Sequence, residues 1–123
     1  LAVKIENEAA EYTIDEEGTL RVLEHPSHCH VSSYGEVIMM RCVFSRNVGV
    51  VRWQRNGREL RPQLGIVEMS VTGNVATLCI RDVTGQDAGS YSAIYDKVQS
   101  DSAVLKVAIA TSQSFQNLAG ARL

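Results

Sequence analysis

Short runs of alternating side chains, separated by glycine, asparagine and charged residues, occupy the middle of this chain. The clearest run is residues 37–44, in which Ile38, Met40, Cys42 and Phe44 fall at every second position. A period of two places alternate side chains on opposite faces of a β-strand. The pattern therefore predicts a half-buried strand whose inward face carries Cys42.

Later runs have the same period and predict further strands. Residues 50–55 form the next strand, with Trp53 directed inward. The dipeptide Asn56-Gly57 follows it and has the backbone freedom for a tight reversal. A second hairpin is predicted around Gly73-Asn74, because apolar alternating runs lie on both sides of it.

The strand after this second hairpin, residues 75–81, has Leu78 and Ile80 on its inward face, so Cys79 points outward. Two more inward rows follow: Tyr91, Ala93 and Tyr95, then Ala103, Leu105 and Val107. Counted together, seven or eight short strands are predicted, with no convincing helix among them. Such a pattern is typical of an antiparallel β-sandwich, and the predicted fold class is all-β.

Length and charge divide the chain into three parts. It has 123 residues and a net charge of −2, which fits one domain with flanking segments. The first 24 residues carry seven acidic and two basic side chains, a balance of −5, and this leaves +3 for the remainder. We predict an acidic N-terminal extension or interdomain linker over residues 1–24, a domain over residues 25–110, and a C-terminal linker or tail over residues 111–123.

Within the extension, residues 11–14 and 19–22 alternate around an acidic turn and predict a small β-hairpin. A lone hairpin is marginal and needs a surface to cover. We expect it to pack on an apolar strip on the outer face of the sheet, with a flexible linker as the alternative. The strip consists of Met39, Val43 and Cys79.

Several kinds of chemistry are disfavoured by the sequence. No apolar run reaches the roughly 18 residues of a membrane span, and neither a glycine-rich phosphate loop nor a Gly-x-Ser-x-Gly motif occurs. The segment His25-Pro26-Ser27-His28-Cys29-His30 brings at most two imidazoles to one face of a strand, which is short of a four-ligand zinc site. We predict no catalytic residue, no metal, no cofactor and no membrane association.

Three motifs between residues 26 and 110 carry a family resemblance. Gly35-Glu36 precedes the cysteine strand, residues 51–60 surround Trp53, and residues 87–91 read Asp-Ala-Gly-Ser-Tyr. With them the chain resembles an intermediate-set immunoglobulin domain, most like those of the intracellular muscle proteins titin, obscurin, twitchin and myosin-binding protein C. The resemblance implies an immunoglobulin-like sandwich with a structural core of Cys42, Trp53, Leu78, Ile80, Asp87, Gly89, Tyr91 and Ala93.

The same resemblance locates a missing disulfide. The second cysteine of the usual inter-sheet bridge should stand two residues after Tyr91, where this chain has Ala93. Cys42 and Cys79 face opposite sides of their sheet, and the strand of Cys42 separates Cys29 from Cys79, so we predict three free thiols. Because thiols stay reduced in the cytosol, we expect a cytoplasmic location.

By resemblance, the expected function is a non-catalytic structural and protein-interaction module of a large cytoskeletal protein of the sarcomere. It would act as a mechanical spacer in tandem with immunoglobulin or fibronectin-type domains, and as a docking domain for filament proteins. The alternatives are an extracellular adhesion or receptor domain that has lost one core cysteine, and a regulatory segment beside a kinase or exchange-factor domain.

Two groups of residues are candidates for partner binding. Arg52, Arg55 and Arg58 are expected at one sheet edge and suit an acidic protein, with a solvated face as the alternative. The apolar strip of Met39, Val43 and Cys79 is the second group. Nucleic acid is disfavoured because the chain as a whole is mildly acidic.

Overall fold

The computed structural model describes residues 19–109, which form ten β-strands and a single 3-10 turn at Gly85–Asp87. The strands are β1 (Val22–Glu24), β2 (Cys29–Val31), β3 (Ile38–Phe44), β4 (Arg52–Arg55), β5 (Arg58–Glu59), β6 (Val67–Thr72), β7 (Val75–Ile80), β8 (Gly89–Tyr95), β9 (Val98–Gln99) and β10 (Ala103–Val107). The all-β class expected from the alternating pattern is confirmed.

The strands make two sheets. One has the order β1-β3-β7-β6, and the other has the order β2-β10-β8-β4-β5, with β9 paired to β8. All pairs are antiparallel except β2 with β10, which are parallel. The chain changes sheets between β1 and β2, where the buried Pro26 lacks the N–H that a continuing ladder needs.

The hydrophobic core lies between the sheets and follows the predicted parity. Cys42, Trp53, Leu78, Ile80 and Ala93 are fully buried in it. The bulkiest other side chains of this core are Tyr91, Phe44, Met40, Leu105 and Val31. Interdigitation of large side chains from both sheets gives the packing density that stabilises a domain of this size.

Both predicted hairpins are present. Asn56 and Gly57 join β4 to β5 with φ values of 54° and 80°, the left-handed region that asparagine and glycine tolerate best. Gly73-Asn74 joins β6 to β7, which pair in continuous register from Thr72 opposite Val75 onward.

The sandwich takes in residues that the sequence assigned to the N-terminal extension. β1 pairs with β3, with Val22 opposite Phe44. Leu20 is 7% exposed and packs in the main core, so it is not available to cover the outer strip as expected. The first half of the predicted hairpin, residues 11–14, and the tail at residues 111–123 lie outside the described residues.

Over residues 19–109, no helix has the length and apolar character needed to cross a bilayer.

Candidate functional site

The turn before β8 is built around Tyr91. Thr84 caps the 3-10 turn: its hydroxyl accepts from the Gln86 N–H (3.2 Å), and its own N–H donates to the Asp87 carboxylate (2.9 Å). The Tyr91 hydroxyl, buried with its ring, donates to the Asp87 backbone carbonyl. Burial raises the pKa of the Tyr91 phenol, so it remains a donor through the physiological range. This is a tyrosine corner, a feature of immunoglobulin-type sandwiches.

The three arginines predicted at one sheet edge lie on β4 and on the edge strand β5. Arg55 and Arg58 lie directly opposite each other across the β4–β5 pair. Arg52, three residues before Arg55, lies on the opposite face by strand alternation. The three arginines therefore lie near one edge of this sheet, but on two of its faces.

Two of these arginines already have partners within the domain. The Arg55 guanidinium donates to the Gln86 carbonyl (3.0 Å) and lies 3.8 Å from the Asp87 carboxylate. Arg52 lies 3.8 Å from Glu59. Arg58 is exposed on β5 and lines a shallow depression together with Leu60. Of the predicted group, Arg58 is thus the residue best placed to contact an acidic partner.

The predicted apolar strip is smaller than expected. Met39 is 63% exposed and pairs across the strands with the half-buried Cys79. Val43 is fully buried, so its expected place on an accessible strip is corrected. The reason is local: burial stops alternating at the end of β3, where β1 pairs alongside in a register that shifts between Val22 and Glu24. The alternation within a single strand does not show which of its outward residues a neighbouring strand buries.

Cys29, Cys42 and Cys79 are free thiols, as predicted. Register places Met39 opposite Cys79 and Ala76 opposite Cys42, so these two cysteines are offset along neighbouring strands and face different sides. Burial, reinforced by the charge of Glu24, raises the pKa of the Cys42 thiol to about 12. Burial also raises the pKa of Cys29. Neither thiol is readily ionised at neutral pH, and the thiolate is the reactive form.

The histidine segment has a role that the sequence did not indicate. The Asp101 N–H donates to His25 Nδ1 (2.9 Å), and the Val104 N–H donates to His28 Nδ1 (2.8 Å). Among residues 19–109, no group of three or more potential ligands converges on a metal position. His25 and His28 are three residues apart, and so are the two residues they contact. Each contact joins positions 76 residues apart, and no feature of the sequence near the histidines identifies such distant partners.

Two packed sheets, a buried tryptophan and a tyrosine corner define an immunoglobulin-type domain. The family model "Immunoglobulin I-set domain" matches residues 20–109, and the chain belongs to that family. The match begins before β1, in agreement with the place of β1 in the sandwich.

The similar proteins include a titin homolog and solved titin domains. Over 72 residues, which are 58% of this chain, the sequence is 35% identical to the titin homolog of Caenorhabditis elegans. The chain covers only a very small part of that protein, 0% of its length after rounding. The crystal structure of titin domain I10 has a TM-score of 0.67 and 22% identity, covering 73% of this chain and 99% of that one. A chain of the complex of titin M10 with an obscurin-like 1 immunoglobulin domain has a TM-score of 0.63 and 19% identity, covering 75% and 96%.

Proposed function

We propose that this domain is a non-catalytic structural and protein-interaction module of a large cytoskeletal protein of the sarcomere, acting in the cytoplasm as a mechanical spacer and as a docking domain. The observation that carries the proposal is the pairing of Trp53 with Ala93 across β4 and β8 in a core whose Cys42 is a free thiol. No disulfide joins the two sheets over the described residues, which suits a compartment where disulfides do not persist.

The arrangement of the chain ends supports the spacer role. β2 lies near the start of the domain, β10 lies at its end, and the two run parallel with Cys29 opposite Leu105. The Ala108 N–H continues the ladder by donating to the Val31 carbonyl (2.9 Å). Tension on the two ends of the domain loads these hydrogen bonds in shear, so several must break together. In tandem with neighbouring immunoglobulin or fibronectin-type domains, such a ladder resists extension.

The docking role is supported by edges and exposed side chains. β5 and β6 are edge strands, whose unpaired backbone groups can accept an added strand of a partner. Arg58 lies on the first of these edges, with Arg52 and Arg55 nearby on β4. Met39 and Cys79 form the second contact surface. We propose filament-associated proteins with acidic segments as partners, in line with the titin complex with an obscurin-like 1 domain.

Single-molecule extension tests the spacer role. Placed between marker domains of known strength, the domain should unfold in one step that releases the full length of its chain, with the same force distribution with and without reductant. A shorter released length that lengthens on adding reductant would show a protected bridge and would favour the extracellular adhesion or receptor module.

Docking is tested separately with variants of the intact chain. The variant Arg58→Glu should weaken capture of a purified acidic partner segment from another immunoglobulin-containing filament protein, whereas Arg46→Glu, in the loop after β3, should leave it unchanged. Equal loss in both variants would indicate only a general charge effect and would contradict a specific Arg58 contact.

A further inference from the structure

We propose that His25 and His28 form an acid-sensitive latch that fastens the crossover between β1 and β2 to the β10 segment. Both imidazoles use Nδ1 to accept a backbone N–H, from Asp101 at 2.9 Å and from Val104 at 2.8 Å. These distances are those of well-formed hydrogen bonds. The inference goes beyond the proposed function and does not depend on it.

The position of the latch gives it a structural effect. In the parallel β2–β10 ladder, the first register pair is Cys29 with Leu105. His28 and Val104 lie one step before that pair, so the imidazole supplies the acceptor that a longer β2 would have supplied from its backbone. His25 makes the equivalent contact to Asp101, ahead of β10. The two side chains thereby extend the ladder through the segment that changes sheets.

Imidazole chemistry makes the latch reversible. A neutral ring has one N–H and one free lone pair, and an Nδ1 that accepts a bond leaves the proton on Nε2. The imidazolium form has N–H groups on both nitrogens, so it would point a donor at the donor of the backbone. Imidazole is the side chain that ordinarily changes charge between about pH 8 and about pH 5. Protonation of a ring therefore removes the acceptor at that point of the latch.

The charged groups around the two rings differ. The Asp101 carboxylate lies 3.8 Å from His25 Nδ1, so a protonated His25 gains an ion pair as it loses its acceptor role. Cys29 and His30 on β2 and Lys106 on β10 are the titratable residues that line a shallow depression together with His28 and Val104. None of these offers a carboxylate. His28 is therefore the half of the latch at which no new ion pair offsets the loss of the acceptor on protonation.

Amide hydrogen exchange of the full 123-residue chain tests the latch at the atoms concerned. Protection factors, corrected for the intrinsic rate at each pH, are compared at about pH 7.5 and about pH 5. The loss of one hydrogen bond should lower the protection of the Val104 amide roughly tenfold at the lower pH. The amide of Val83, which donates to the Glu36 carbonyl away from the histidines, should keep its protection.

Variants at His28 separate acceptor from charge. His28→Asn keeps an acceptor oxygen near the place of Nδ1 and does not titrate, so Val104 should be protected at both pH values. His28→Phe removes the acceptor, so Val104 should be exposed to exchange at both. His30→Asn, one residue beyond Cys29, should behave as the unmodified chain does.

Two results would overturn the proposal: Val104 protection that is the same at both pH values in the unmodified chain, or a pH response that His30→Asn abolishes and His28→Asn leaves intact. If the variants do not fold, the through-hydrogen-bond coupling between Val104 nitrogen and His28 Nδ1 in the unmodified, isotope-labelled chain decides the question. It should be detectable near neutral pH and absent near pH 5, and its absence near neutral pH would contradict the latch.

Discussion

Asn56 and Ser90 are joined by a reciprocal pair of hydrogen bonds. The Asn56 N–H donates to the Ser90 carbonyl (2.7 Å), and the Ser90 N–H donates to Asn56 Oδ1 (2.9 Å). The turn between β4 and β5 is thereby fastened to the first residues of β8, which connect the 3-10 turn of the tyrosine corner to Tyr91. Gly89 lies beneath this contact: a Cβ added there would fall 2.7 Å from Asn56 Oδ1.

The substitution Gly89→Ala should therefore destabilise the domain. Gly89 has a φ of 151°, which an L side chain rarely adopts, and the added methyl group can be accommodated only by moving the Asn56 amide off Ser90. Backbone strain of this kind costs about 1–3 kcal/mol. Urea denaturation should show a lower midpoint with an unchanged slope.

Gly85→Ala provides the matched control. Gly85 lies in the 3-10 turn of the same corner, and a Cβ there meets nothing within 4 Å. Its free energy of unfolding should stay the same or rise slightly, since alanine has less conformational freedom in the unfolded chain. Equal destabilisation by both substitutions would show that the Asn56 contact is not the cause.

Removing the Tyr91 hydroxyl should weaken the same corner by a different route. Tyr91→Phe keeps the buried ring but deletes the donor to the Asp87 carbonyl. We expect a loss of about 1–2 kcal/mol, which for a domain of this size lowers the melting temperature by roughly 4–8 °C per kcal/mol. Tyr34→Phe, at an exposed turn, should leave the melting temperature unchanged.

Alkaline pH should destabilise the domain through Cys42. Its pKa is raised in the folded state from 9.0 to about 12, so the buried thiol stays neutral where the thiol of the unfolded chain ionises. A raised folded pKa gives a contribution that is full below the unfolded value and is lost as the pH rises toward the folded value. The free energy of unfolding should thus fall between about pH 9 and about pH 12.

The variant Cys42→Ala isolates that contribution. The raised pKa values of Cys29 and Tyr91 remain in both proteins, so the difference between the two pH profiles reports Cys42 alone. The profile of the variant should fall less steeply over the alkaline range. Parallel profiles would show that Cys42 ionises equally in the folded and unfolded chains.

The inward faces of β3, β4 and β7 were predictable because alternation is a local property of each strand. The burial of Val43 and Leu20 was not predictable, since it depends on how β1 pairs with β3. The contacts of His25 and His28 join residues 76 positions apart. Polar residues before a strand do not indicate from the local sequence that they accept such long-range hydrogen bonds. Local patterns thus predicted the inward faces of these strands, and long-range pairing determined which further residues are buried.

The most direct test of the missing bridge is to restore its second cysteine. Ala93, in β8, lies opposite Trp53 of β4 and is fully buried. Cys42, in the facing sheet, is fully buried too. A disulfide between residues 42 and 93 should add on the order of 4 kcal/mol in the chain-entropy model. Under reductant, Ala93→Cys should instead destabilise by about 1–3 kcal/mol, because the core is already packed.

Denaturation of Ala93→Cys in oxidising and reducing buffer should therefore give two separate midpoints, while the unmodified chain, with its three free cysteines, should give one. Mass spectrometry of the oxidised variant should identify Cys42 as the partner of the new cysteine. Two results would contradict this prediction: a bridge from the new cysteine to Cys29 or Cys79, or a denaturation midpoint that is the same with and without reductant. Either would show that residues 42 and 93 do not face each other across the core as the family pattern requires.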